Sequence, residues 1–292
     1  MGSTFQWRKS SFIAAHLVNG KWIGTLMNEH RKDDGDQSSY FGLNCSDCDQ
    51  NSLKYYKRLQ SQNHVYVPME NIFDYIPRIP ITKLTVLIFE WEQLDQSHNF
   101  VVFDHAFRSR FHRQRLHRDT PQRRFDEYWV SIHFRWGDVG TRNENIPNER
   151  NGLGFWNYCF IISEILSISP NARIYLFAEL FTGPDVCKVL WSENVYFYSD
   201  SLEWKRDIDI MSQSQLLIGG SSSFFVLGAH LCENCTVIHS SGVKFAKSEY
   251  EKKLSTHLND FNCDRNITCY LQQINVHVVD ALKDHSRTIP SY

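Results

Sequence analysis

No apolar run in the sequence approaches the ~18–20 residues a membrane-spanning helix needs; the apolar piece at 84–89 is only strand-sized. The start has no apolar leader either, because Met1 runs straight into Gly-Ser-Thr and a polar, helix-like stretch. The expectation is therefore a soluble chain. An excess of one charge is also missing: Lys+Arg number 31 against 33 Asp+Glu, a net charge of -2. That balance argues against a polyelectrolyte that coats nucleic acid along its whole surface. There is no internal repeat. With 42% hydrophobic and 22% charged residues, the composition excludes a fibrous or disordered chain. What is present is length and aromatic bulk. At 292 residues the chain holds two domains of ordinary size, and 20 Phe, 13 Tyr and 8 Trp predict large buried surfaces and stacking platforms.

Eight cysteines are present, four of them in two C-x-x-C pairs, Cys45/Cys48 and Cys232/Cys235. That spacing in a cytosolic chain would point to zinc or redox chemistry. Three sequons, beginning at Asn44, Asn234 and Asn266, lie beside the clustered cysteines, and the combination favours an oxidising, glycosylating compartment over a zinc ribbon. Cys159 and Cys187 sit in apolar surroundings and read as core thiols.

Along the first part of the chain, residues 5–18 read as a helix, 21–26 as a short strand and 31–50 as loop, with strand candidates at 65–67 and 82–89. Residues 107–124 form a basic stretch with seven Arg, broken by Pro121, and the domain boundary is placed just beyond it. The second half alternates more regularly. Strands are expected at 128–134, 173–178, 195–198, 216–218 and 235–239, the last of the set. Helices are expected at about 154–167, 184–191, 207–214 and 224–231. Such alternation predicts an α/β fold with a parallel sheet and crossover helices. The predicted organisation is an N-terminal lobe at 1–124, a C-terminal Rossmann-like lobe at 125–246, and a charged, less regular tail at 247–292, read as a helix that packs back on the lobes.

In such sheets ligands bind beyond the carboxyl ends of the strands, and two of those ends carry unusual residues. The first is His133-Phe134-Arg135-Trp136-Gly137-Asp138. Strand alternation puts His133 and Arg135 on one side, and a guanidinium fixed there suits a diphosphate because its planar fork binds phosphate oxygens bidentately. The plainer alternative is an Arg–Asp ion pair holding the loop, with His133 a hydrogen-bonded core residue. The second end is Gly219-Gly220-Ser221-Ser222-Ser223, a turn that opens a helix. It presents amides and hydroxyls at the positive helix end, without the Lys of a nucleotide-hydrolase P-loop; the plainer alternative is a capped helix start. Upstream, of Asp207 and Asp209, one is read as favouring the helix dipole and the other as contacting a base or ribose.

Together these segments resemble the fucosyltransferases of the α1,2-, α1,6- and protein O-linked superfamily. Residues 133–138 are similar to their His-x-Arg-Arg-x-Asp motif, with Arg135 kept and Trp136 in place of the second Arg. Val139, Gly140, Thr141 and Glu144 look like the loop that follows in the α1,6 enzymes. Asp207-Ile208-Asp209-Ile210-Met211-Ser212-Gln213 resembles the Asp-x-x-x-x-Ser-Gln helix, and Ser221-Ser222-Ser223-Phe224 falls where the second donor-binding turn lies, Phe224 replacing a polar residue. Residues 174–179 are similar to a strand ending in an acidic residue. Gly2-Ser3 resembles the end of the N-terminal Gly-x-Gly-Asn/Ser turn, which would mean that the chain opens mid-motif.

The resemblance implies a GT-B-like fold, two Rossmann-like lobes facing a cleft, with the N-terminal lobe on the acceptor side. It implies an inverting, metal-independent transfer of fucose from GDP-fucose to a glycan or glycoprotein hydroxyl in the Golgi or another secretory lumen, with no cofactor. Arg135 would neutralise the leaving diphosphate, aided by Ser221, Ser222 and Ser223. His133 and Asp207 would hold guanine or ribose, Gly2, Ser3 and Phe224 would line the donor site, and Glu144 or, second, Asp138 would take the acceptor proton. Two other classes compete. One is a catalytically inactive glycan- or nucleotide-sugar-binding relative. The other is a nucleic-acid module in which the arginines of 107–124, interleaved with Phe107, Phe111, His112 and His117, contact phosphates and bases.

Overall fold

A computed structural model describes residues 40, 64–67, 86–89, 105–135, 153–178, 188–198, 203–220, 222–232, 235–240, 259–264 and 266–288. The chain divides into two compact units, one of residues 1–118 with 246–254, the other of residues 119–245 with 255–292. In the first unit, β1 (His64–Val67) and β2 (Val86–Phe89) pair in parallel, and α1 (His105–Arg115) follows. The helix 5–18 and strand 21–26 expected from the sequence lie outside the described residues.

The basic stretch is only partly helix. Phe111 is fully buried and packs edge-on against Tyr40, 5.8 Å between ring centroids. The Arg118 guanidinium lies 3.8 Å over the Tyr40 ring and donates to the Tyr40 carbonyl. Cation–π contact and hydrogen bond thus commit this arginine to the protein's own structure. Arg123 and Arg124 are engaged as well. The first donates to the Glu127 carbonyl at 3.1 Å, the second to the Glu127 carboxylate at 3.0 Å.

The second unit is built on a six-stranded sheet in the order β5-β4-β3-β6-β7-β8, every neighbouring pair parallel. Its strands are β3 (Trp129–His133), β4 (Arg173–Phe177), β5 (Val195–Tyr198), β6 (Leu216–Gly219), β7 (Thr236–His239) and β8 (Asn259–Asn262). The α/β class with a parallel sheet, expected from the alternation, is what the chain adopts. The near-continuous apolar runs of β3, β4 and β6 are those of strands covered on both faces.

Alternation divides the side chains. Val130, Ile132, Ile174, Leu176, Leu216, Ile218 and Ile238 form one core with α2 (Phe155–Ile168) and α5 (Ile267–Thr288). On α2 the buried Phe155, Tyr158, Ile161, Ile162 and Ile165 recur at helical spacing and make one apolar face. On the other side of the sheet, Phe225 of α4 (Ser223–Leu231) lies at Gly219, and Ser214, just past α3 (Trp204–Met211), bonds Ser131 of β3 at 2.8 Å. Met211 of α3 fits against Gly228 of α4 so closely that an added Cβ would lie 2.6 Å from its sulfur.

Three expectations are corrected. The strand ending at His239 is not the last, since β8 follows; a strand reading Asn-Asp-Phe-Asn has no apolar alternation to announce it. The helix expected at 207–214 lies three residues earlier at both ends, over 204–211, because Lys205 and Arg206 are good helix formers and no side-chain cap marks its start. Cys159 is not a free thiol but disulfide-bonded, as are Cys232 to Cys235 and Cys263 to Cys269. The disulfide between Cys232 and Cys235 takes up both sulfurs that a zinc ribbon would have needed there. Cys187 lies outside the described residues.

Residues 255–292 belong to the second unit, and α5 contributes Tyr270, Ile274 and Val278 to its core. Asn275 Nδ2 donates to Glu164 of α2 at 3.1 Å.

Candidate nucleotide-sugar site

Register alone brings the two unusual strand ends together. β3 and β6 are neighbours, and their last pair is His133 opposite Gly219. The same row continues through Phe177 and Tyr198 on one side and His239 and Asn262 on the other. Eighty-six positions separate His133 from Gly219 in sequence, yet they meet at the carboxyl edge of a parallel sheet, where crossover folds place ligands.

From Gly219 the chain turns into α4. Ser222 is the N-cap residue, in extended conformation, and its side chain makes no capping hydrogen bond. A plain structural cap would spend that hydroxyl oxygen on a first-turn amide. Among the described residues the Ser222 hydroxyl caps no first-turn amide, and the helix-start amides form the positive end of the helix dipole. Gly219 has no room for a side chain, since a Cβ would lie 2.7 Å from the buried Phe225 ring. From the opposite face the Tyr270 hydroxyl donates to the Gly219 carbonyl at 3.2 Å. The turn is thus held on both sides.

The His133 ring packs 5.7 Å from that of Phe224 and 6.3 Å from that of Phe225, so β3 and the first turn of α4 touch directly. Its Nδ1 is buried with no partner among the described residues. Burial, reinforced by the nearby Arg135 charge, lowers its pKa to about 3. The imidazole is therefore neutral at physiological pH, with one nitrogen to donate and one to accept. Arg135, two residues beyond His133, is partly exposed at the same edge.

Asp207, in the first turn of α3, is buried and accepts from the neighbouring Arg206 at 3.1 Å. The Arg206 guanidinium lies 4.1 Å over the Tyr198 ring, at the end of a stacked series in which Tyr175 and Tyr198 are 6.2 Å apart and Phe177 and Tyr198 5.6 Å. Asp209 is fully buried. Ser212 and Gln213, the Ser-Gln pair of the resemblance, follow α3; Ser212 Oγ donates back to the Asp209 carbonyl, and Gln213 grips the segment before β3. The Gln213 amide nitrogen donates to the Asp209 and Pro121 carbonyls, both at 2.9 Å, and its oxygen accepts from the Arg123 amide.

The remaining expected site residues, Gly2, Ser3, Asp138, Glu144 and Ser221, lie outside the described residues, as does the Ser223 side chain. Two contributors escaped sequence reasoning. Tyr270 sits on the helix expected in the charged tail, where Ile267, Tyr270, Leu271, Ile274 and Val278 recur at helical spacing, but nothing in the sequence joins that helix to Gly219. His239, in the same row as His133, is buried; its two ring nitrogens lie 2.8 Å from the Ser240 carbonyl and 2.5 Å from Asp260.

Compared with known proteins, the sequence matches no protein-family model and no curated protein. Among solved structures, the chain is similar to TarM at 13% identity and a TM-score of 0.37, over 86% of this chain and 45% of TarM. It is similar to the glycosyl transferase family 9 protein from Veillonella parvula at 10% identity and a TM-score of 0.35, over 80% of this chain and 76% of that one. The E. coli heptosyltransferase WaaC, solved with ADP-2-deoxy-2-fluoro heptose, gives 13% identity and a TM-score of 0.34, over 80% and 76%. The chain thus spans less than half the length of TarM.

Proposed function

We propose that the chain is a glycosyltransferase that binds a nucleoside-diphosphate sugar at the carboxyl edge of the six-stranded sheet and, more finely, moves fucose from GDP-fucose to a hydroxyl of a glycan or glycoprotein. The observation that carries this reading is the direct pairing of His133 with Gly219, which sets the His-x-Arg strand end beside the serine turn opening α4. Their resemblance to two donor-binding motifs gains weight from that juxtaposition. Motifs adjacent by chance in resemblance need not be adjacent in space.

In this mechanism, departure of the nucleotide from an oxocarbenium-like centre builds charge on the β-phosphate. Arg135 neutralises it through its planar fork, and the α4 start, with Ser221, Ser222 and Ser223, supplies further donors. No metal or cofactor is needed for that neutralisation. His133, neutral, donates to or accepts from the guanine or ribose, with Asp207 held by Arg206 as its acidic companion. Glu144, or Asp138, removes the acceptor proton, and the sugar centre inverts. The disulfides favour a secretory-lumen address.

A thermal-shift panel of GDP, UDP, ADP and CMP tests the reading. Selective stabilisation by GDP is expected, since a ligand held by the folded state alone raises the melting temperature. Equal indifference to all four nucleotides, or a preference for UDP or ADP, refutes the GDP assignment. RNA retention that falls steeply with salt, without GDP affinity, would favour the nucleic-acid reading.

A further inference from the structure

The sequon Asn266-Ile267-Thr268 takes no part in the nucleotide reading, and its geometry is particular. It lies inside the loop closed by the Cys263–Cys269 disulfide and straddles the start of α5, Asn266 preceding the helix and Ile267 and Thr268 opening it. Asn266 and Thr268 are both exposed. The Asn266 Oδ1 accepts from the Thr268 amide at 3.0 Å and from the Cys269 amide at 3.3 Å, which makes Asn266 the N-cap of α5. Oxygen and nitrogen branch from one trigonal carbon, so an oxygen turned into the helix start leaves Nδ2 turned away from it.

We propose that Asn266 is an N-glycosylation site. Nδ2 forms a bond to C1 of an oligosaccharide as the bond between C1 and the oxygen of a lipid diphosphate breaks. The diphosphate leaves with the electron pair, the amide gives up one proton, and nothing is oxidised or reduced. The co-reactant is a polyprenyl-diphosphate-linked oligosaccharide, supplied with its transferase by the secretory lumen. Only the nitrogen is consumed. The carbonyl oxygen that caps α5 remains, so the modified chain keeps the fold of the unmodified one. The disulfides at Cys159, Cys232–Cys235 and Cys263–Cys269 fit the same compartment. The sequon at Asn234 is less suited, because its Thr236 is buried in β7. The proposal is independent of which nucleotide sugar, if any, the chain binds.

The test is peptide mapping of the full chain secreted from cultured animal cells and deglycosylated enzymatically in 18O-water. Asn266 is expected to appear as 18O-labelled aspartate. Thr268→Ala removes the sequon and keeps the capping carbonyl, and Asn266→Asp keeps a capping oxygen and removes the acceptor nitrogen. Both variants should lose the label at this position while retaining the wild-type melting temperature of the deglycosylated chain. An unmodified Asn266 in the secreted wild type, label confined to Asn44 or Asn234, or persistent labelling in Thr268→Ala would overturn the proposal.

Discussion

Replacing Gly219 by Ala tests how the serine turn is held. An added Cβ would sit 2.7, 2.8 and 2.9 Å from three ring atoms of Phe225, a side chain only 1% exposed. The ring is rigid and enclosed, so the strain passes to the backbone at the start of α4. Overpacking of this kind costs about 2 kcal/mol. For a unit of this size that lowers the melting temperature by roughly 4–8 °C. Gly228→Ala is the matched control, since its Cβ would lie 2.6 Å from the Met211 sulfur, at the α3–α4 contact farther along the helix. Both variants should lose comparable stability in thermal denaturation. Only Gly219→Ala should also weaken nucleotide binding, by about tenfold, a loss of roughly 1.4 kcal/mol measured by calorimetry below the melting transition. Unchanged stability in Gly219→Ala, or equal loss of binding in both variants, would refute the view that Phe225 fixes the turn for ligand.

Two further outcomes follow from the electrostatics. Burial opposes the charge on Glu127, yet the Arg124 amide, the Trp129 indole at 2.9 Å and the Arg173 and Arg124 guanidinium groups hold its carboxyl below the ordinary 4.5. Its stabilisation is present above the unfolded-state value and lost as pH falls through the lower folded-state one, so Glu127→Gln should cost about 2 kcal/mol at neutral pH and much less in strong acid. Urea denaturation at several pH values measures this, and a pH-independent difference would contradict it. His133 has its pKa lowered from 6.5 to about 3, so the unfolded chain binds a proton that the folded one refuses. Stability should therefore decline as pH falls from 6.5 toward 3, and His133→Asn should flatten that decline; an unaltered slope would show the ring free to protonate.

The sheet was legible because its strands are short apolar blocks: 195–198 was expected and found to the residue, and 173–178 ends one residue earlier, at Phe177. Their pairing was not, since no local pattern says that β3 lies between β4 and β6. Yet that order is what joins His133 to Gly219. β8 escaped because its Asn-Asp-Phe-Asn is polar, and Cys159 was misread because an apolar neighbourhood suits a disulfide as well as a thiol. Glu127 gave no signal at all. Its distant partner Arg173 meets it only through the parallel register of β3 and β4, which sets Arg173 opposite Trp129. Within the candidate site, residue types were readable from strand ends, whereas the uncapped start of α4 at Ser222 and the brace from Tyr270 are facts of packing.

The sharpest measurement is hydrolysis of GDP-fucose, without acceptor, by the wild type and by Arg135→Lys. An ammonium keeps the charge but has no planar fork, and loss of one preorganised donor at a developing anion costs about a hundredfold or more in turnover. Wild-type hydrolysis that falls by that factor in Arg135→Lys, with the melting temperature unchanged, is the predicted result. Near-equal turnover by the two proteins would contradict it and take Arg135 out of the chemistry.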